Sequence, residues 1–257
     1  MGKAQKRRTR YPLYILIAVA IIIAGLTVSI AANTPMPPSP MRTTKGICVS
    51  GPVLEEEWYD DLWLNLSKKF APIQERWMDQ TIIRRASPSQ VLSLLSDRDV
   101  IWYCAVAHGC PQYAHFDNEE YPAYNRYDTL YASDLAGVMA DRGPVRLSIL
   151  WHCNAMADIG PGTWTYELTK GDFENCIVIG IHDYGGAWFD TMMCFFQGLE
   201  AGMTAGDAYD RALVEVPPPG EEHIPRLAGN RDLTIDDLCC PLDGDTVLSY
   251  LKSVLMG

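Results

Sequence analysis

The hydrophobic positions of this chain fall into two kinds of run. The first is a single stretch from Leu13 to Ala32, LYILIAVAIIIAGLTVSIAA, twenty residues without a charge. At about 1.5 Å of rise per residue such a helix crosses the roughly 30 Å hydrocarbon layer of a bilayer. The second kind is shorter and repeats. GICVS (46–50), TIIRR (81–85), VIWYCAVA (100–107), VRLSILWH (145–152) and CIVIGIH (176–182) are strand-length apolar runs, several of them apolar throughout. Continuous runs of this kind are expected of strands covered on both faces in a parallel sheet.

Segments with helical spacing lie between and after these strands. Trp58, Leu62 and Leu66 recur on one face of EEEWYDDLWLNLSKKF, with acids first and Lys68-Lys69 last, as the helix dipole favours. SQVLSLLS is opened by Ser87-Pro88 as cap and first helical residue, and Asp97 to Asp99 breaks it. SDLAGVMA (133–140) is expected to be capped by Ser133, and TWTYELTK (163–170) to end at Gly171. AWFDTMMCFFQGLEAGM and TAGDAYDRALVEV follow, the second capped by Thr204 and stopped by Pro217, Pro218 and Pro219. Residues 220–257 have no clear pattern, apart from a short helical stretch near Asp245 to Leu255. Strands alternating with helices predict an α/β fold: a mainly parallel sheet with helices on both faces and right-handed crossovers.

Charge sharpens the organisation. Lys3, Lys6, Arg7, Arg8 and Arg10 precede the long apolar run and no acid occurs before residue 33, so the rest of the chain carries a net −16. The cations lie only on the N-terminal side, which puts residues 1–10 in the cytoplasm, 11–32 in the membrane as an anchor and the remainder outside the cytoplasm. A cleaved signal peptide ending near Ser29-Ile30-Ala31 is the competing reading. Residues 33–44, with Pro35, Pro37, Pro38 and Pro40, read as a semi-extended spacer, and 45–257 as one domain. Asn65-Leu66-Ser67 fits a glycosylation acceptor. A body this acidic repels phosphate backbones, which argues against nucleic acid as a partner. Neither a GxxxxGK[ST] nor a GxGxxG motif occurs, so no organic cofactor is expected.

Reactive side chains in open parallel sheets gather beyond the carboxyl ends of the strands. There VIWYCAVA is followed by His108-Gly109, and VRLSILWH by Cys153-Asn154. A thiol is nucleophilic as its thiolate, and an imidazole within reach can take its proton and return it to the leaving group. Gly109 lets the backbone approach a substrate, and its N–H together with that of Cys153 would form an oxyanion hole.

The order strand, His-Gly, strand-free segment and helix, strand, Cys resembles the caspase-like cysteine peptidases, in particular gingipain-like and CHAT-like members. NAMADIGPGTWTYELTKGDFENCIVIGI after Cys153, FFQGLEAGMTAGDAYDRALVEV, and the approach TIIRRASPSQVLSLLSDRDVIWYCAVAHG carry the resemblance over roughly residues 45–216. It implies a three-layer α/β/α sandwich whose first four strands run in the order 2-1-3-4. It further implies His108 as general base and acid, Cys153 as nucleophile, Gly109 as an oxyanion donor and a polypeptide as substrate. Two departures stand beside the dyad: His152 precedes the nucleophile, where members often carry a small residue or another Cys, and Cys110 follows His-Gly directly. Since the pocket for the residue before the scissile bond often carries the opposite sign in that family, Asp158 and Asp183 become candidates for holding a basic side chain.

Three rival readings remain. Cys104, His108, Cys110, His115, His152 and Cys153 are zinc-ligand types, although no CxxC knuckle spaces them and no metal is expected. Eight cysteines in an extracytoplasmic domain could instead pair as disulfides and engage Cys153. Or the domain keeps a caspase-like fold without activity and serves as a membrane-tethered binding module.

Overall fold

The computed structural model describes residues 44–51, 68, 70–117, 127–183, 188–218 and 224–240. Its frame is a six-stranded sheet built from β1 (Lys45–Ser50), β2 (Asp79–Ile83), β3 (Val100–Val106), β7 (Leu147–Trp151), β8 (Ile177–Ile181) and β9 (Pro225–Gly229), in the order β2-β1-β3-β7-β8-β9. All neighbours are parallel except β8 and β9, which run antiparallel. The first four strands therefore take the expected order 2-1-3-4. A second sheet, β4 (His108–Cys110), β5 (Tyr113–Asp117) and β6 (Tyr127–Tyr131), is antiparallel throughout.

Side-chain alternation along the parallel strands divides the core in two. Cys48, Trp102, Cys104, Ile149, Trp151, Ile177 and Ile179 face one side, with α1 (Ala71–Gln74), α5 (Phe189–Glu200), α6 (Ala205–Glu215) and α7 (Ile235–Leu238). Ile47, Val49, Tyr103, Ala105, Leu150 and Val178 face the other, with α2 (Pro88–Leu95), α3 (Ala132–Met139) and α4 (Trp164–Thr169). Helices thus cover both faces, which is why these strands tolerate apolar residues at every position.

Helix starts follow local chemistry. Ser87 and Gln90 form a reciprocal capping box with Pro88 at the first helical position. The Thr163 and Thr204 hydroxyls accept from the N–H groups of Tyr166 and Asp207. At the end of α4, Lys170 (φ 54°) and Gly171 (φ 72°) both turn left-handed. Buried Arg142 donates to the carbonyls of Leu95, Asp97 and Val100, closing the turn between α2 and β3.

Four expectations need correction. β2 spans 79–83 rather than 81–85, because Arg85 is left-handed (φ 55°) and cannot continue an extended strand. The helix expected from 133 begins at Ala132, and its cap contact is made by Asp134, whose carboxylate accepts the Tyr131 N–H at 3.0 Å; Ser133 lies inside the first turn. The segment after His108-Gly109 is not strand-free: those two residues open β4, and β5 and β6 follow. There Pro111-Gln112 is a two-residue loop, and the short run YAHFD alternates too briefly for its period to stand out. Finally, β9 and α7 occupy part of the stretch left without a pattern. Pro225 and Gly229 suit the edge position β9 takes, where one side of the strand needs no partner.

Several expectations fall outside the described residues: the tail 1–10, the anchor 11–32, nearly all of the spacer, most of the helix ending at Lys69, Asn65, and the stretch from Asp245 to Leu255. Among the described residues no helix is long and apolar enough to cross a membrane.

Candidate active site at the carboxyl rim of the sheet

β3 and β7 are direct neighbours, registered from Trp102 opposite Leu147 to Val106 opposite Trp151. The Ala107 N–H donates to the Trp151 carbonyl at 3.2 Å and extends that pairing by one step. His108 and Cys153 each come two residues after the last registered pair, so both leave the sheet at the same level of its carboxyl rim. Val106 and Trp151 face the α5 side of the sheet, and positions 108 and 153 lie just past those two strand ends.

His108 opens β4 and stands across from His115 on β5. It is half-buried, and its Nε2 is shielded from solvent without a hydrogen-bond partner among the described residues. Burial lowers its pKa below the ordinary histidine value, so at neutral pH the ring is uncharged, the form able to accept a proton. His115 is lowered too, first by burial and then by the adjacent His108, and its Nδ1 lies 3.1 Å from the Thr129 hydroxyl on β6. At Gly109 an added Cβ would stand 2.4 Å from the Tyr113 carbonyl oxygen and 3.2 Å from His152 Nδ1, so only glycine fits this crossing. Antiparallel alternation makes Gly109 opposite Ala114 a non-hydrogen-bonded pair, which leaves the Gly109 N–H unused by β5.

Cys153 is half-buried and sits on a tight turn. Asn154 is left-handed (φ 55°), one of three non-glycine residues with positive φ among those described. The turn is tied to the end of β8: the Asn154 N–H donates to the Asp183 carbonyl and the Met156 N–H to that of Ile181, both at 2.8 Å. The Ala155 N–H closes back on the His152 carbonyl at 3.2 Å. The Cys153 N–H makes no hydrogen bond among the described residues.

The two acidic candidates part company. Asp183 lies two residues past the end of β8, is exposed, has its carboxylate 3.3 Å from His182 Nδ1 and holds the Cys153 turn through its carbonyl. Asp158 is exposed in the loop before α4, where its Oδ1 accepts the Gly160 N–H at 2.9 Å and shapes its own turn. The zinc-type residues do not converge: among the described residues no three of His, Cys, Asp or Glu are grouped as metal ligands. No disulfide joins any two of the eight cysteines.

His152, in the sequence a departure beside the dyad and a zinc-ligand type, is a core side chain. It is 1% exposed, its ring lies edge-on to Trp164 with centroids 6.0 Å apart, and neither ring nitrogen has a hydrogen-bond partner among the described residues. Burial pulls its pKa down to about 4, weakly opposed by the Cys153 backbone. Alternation along LSILWH was the available signal, since Trp151 on the α5 side puts the next position toward the other. The unfolded chain, with a histidine pKa near 6.5, binds this proton first as pH falls. His152 therefore supports full stability above about pH 6.5, and that support is lost progressively as pH falls toward 4. Linkage sets the loss at about 2 kcal/mol by pH 5, with His108 and His115 adding in the same direction. Denaturant unfolding at pH 7 and pH 5 measures it. His152→Gln should flatten the slope, and an unchanged slope would mean that the ring is not held neutral.

Arg85 Nη2 lies 3.2 Å from the buried Asp117 carboxylate and the Asp117 N–H donates to the Ala86 carbonyl at 2.8 Å, fastening the end of β5 to the loop after β2. No protein-family model matches this chain and no curated protein matches it, so the chemistry of the rim has to be read from the residues assembled there.

Proposed function

We propose that this chain is a caspase-like cysteine peptidase, in which His108 and Cys153 form the dyad, on a domain held outside the cytoplasm by residues 11–32. The observation that carries the reading is the side-by-side parallel pairing of β3 and β7, which delivers the two residues to one level of one rim. The strand order β2-β1-β3-β7 and the helices on both faces support the caspase-like comparison.

In the proposed cycle the neutral His108 imidazole takes the Cys153 proton, and the thiolate attacks the scissile carbonyl carbon. The N–H groups of Cys153 and Gly109 donate to the oxyanion, each such donor being worth about 3 to 4 kcal/mol in the transition state. Collapse expels the amine, which receives the proton from His108 and leaves an acyl-enzyme. Water, deprotonated by the same imidazole, releases the acid. Asp183, exposed beside the Cys153 turn, supplies a negative charge for a basic side chain of the substrate, and the acidic body raises the local concentration of cationic segments. Asp158 serves its own loop and is the weaker candidate for that role.

An acyloxymethyl ketone bearing Lys or Arg, incubated with the purified full chain, tests the reading. Labelling is expected at Cys153 and should vanish in Cys153→Ala. Equal labelling of the variant would overturn the assignment, and absence of labelling and of cleavage in the wild type would favour a binding module that retains the fold alone.

A further inference from the structure

Away from the rim, a second pair of cysteines is set face to face inside the sheet. Cys48 on β1 and Cys104 on β3 are direct register partners in a parallel pairing. Registered residues on parallel strands project from the same face, and both thiols belong to the same core cluster, under α1 and α5. They are 0% and 1% exposed, and burial, followed by the neighbouring Cys48, raises the Cys104 pKa well above the ordinary thiol value. Neighbouring strands lie about 4.8 Å apart, inside the 4.4 to 6.8 Å Cα separation that a disulfide spans. Among the eight cysteines no other two are register partners.

We infer that Cys48 and Cys104 form a disulfide that staples β1 to β3 when the chain folds under thiol-oxidising conditions. The inference is independent of the peptidase reading, since neither sulfur belongs to the dyad. The oxidant is a small-molecule or protein disulfide, of which glutathione disulfide is the simplest. The thiolate of one cysteine attacks a sulfur of glutathione disulfide, expelling one glutathione thiolate and forming a mixed disulfide. The second cysteine thiolate attacks the protein-side sulfur and expels the other. The two cysteine protons end on the two glutathione thiols, and the pair gives up two electrons to the disulfide that is reduced.

Burial dictates when this happens. In the closed core burial holds the Cys104 thiol in its protonated, unreactive form. Exchange must therefore precede the docking of α1 and α5 over the strands, and once they close the bond is sheltered from reductant. Against formation stands the contact of the Cys48 thiol with Gln74 Oε1 at 3.2 Å, which oxidation removes from a buried amide. In its favour, the bond closes a long loop between the second and third strands of the sheet order, which restricts the unfolded chain.

The test uses the wild-type full chain and needs no variant. The protein is refolded in a glutathione redox buffer or in excess reductant, denatured, alkylated with a maleimide, digested without reduction and mapped by mass. The expected result is one linked peptide pair containing Cys48 and Cys104 and two fewer alkylated thiols in the redox buffer, with the melting temperature several degrees above that of the reduced sample. Alkylation of all eight cysteines after oxidative refolding overturns the inference, and so does a link between any other two. Retention of Cys153 as a labelled thiol in the same map keeps the outcome separate from the fate of the dyad.

Discussion

If the proposed dyad operates, Cys153→Ala and His108→Ala should each lower kcat/KM for peptide cleavage by about 10⁴-fold or more, and the double variant should fall no further, because the two groups would act as one unit. A factor of 10⁴ corresponds to about 5.5 kcal/mol of transition-state stabilisation, which follows from losing the attacking atom in one variant and its base in the other. The substrate is the best peptide from a library profile of the full chain, and melting curves of the three variants confirm that the fold persists. The pH profile is the second readout. The proposed base must be neutral, and burial lowers the His108 pKa, so the acid limb of kcat/KM should fall below the ordinary histidine value near 6.5. If His108→Ala keeps more than a tenth of wild-type activity, or the acid limb is unchanged in that variant, the imidazole has no part in the chemistry.

Trp102→Ala destabilises the domain by about 3 to 5 kcal/mol. Trp102 is 1% exposed in β3, with Phe196 of α5 and Trp77 at ring-centroid distances of 5.5 and 6.1 Å. Its indole N–H donates at 2.8 Å to the carbonyl of Leu238 in α7. Truncation opens a cavity where the sheet, α5 and α7 meet, and strands a buried carbonyl without its donor. Trp102→Phe keeps much of the packing and loses only the donor, so it should cost clearly less. Denaturant midpoints for both variants, at constant slope, give the comparison. A loss under 1 kcal/mol in the alanine variant would show that α7 does not depend on this contact.

Much of the sheet was readable from the chain because its strands are apolar at nearly every position. VIWYCAVA and CIVIGIH differ from β3 and β8 by only one or two residues at their ends. Helix starts marked by Ser87, Thr163 and Thr204 were equally plain, since a hydroxyl that accepts a nearby N–H is a local interaction. Elsewhere local chemistry was insufficient. The segment HGCPQYAHFD has weak alternation, and its strands exist because Gly109 passes close to Tyr113 and because α4 and α3 grip the hairpin tip: the Trp164 N–H donates to the Pro111 carbonyl and the Ala132 N–H to that of Gln112, both at 2.8 Å. β9 pairs with β8, a partner forty-four residues or more earlier in the chain, and no short window of sequence contains that information.

The residue types of the site were readable too, as His-Gly and Cys-Asn following two apolar runs. Which groups share the rim with them was not. His152 directly precedes Cys153 yet is buried beside Trp164, on the side opposite to the one that Trp151 takes at the end of β7. Asp183, thirty positions after Cys153, supports the nucleophile turn through its backbone, whereas Asp158, only five positions on, is engaged in its own turn. By itself the sequence determined the alternation of elements, the helix caps and the two positions eligible for chemistry, all of which depend on neighbours within a few residues. Only the tertiary structure decided that β3 lies against β7 in a register bringing positions 108 and 153 to one level, and that Cys48 meets Cys104, because strand pairing is made between segments far apart along the chain and is selected by the packing of the whole core.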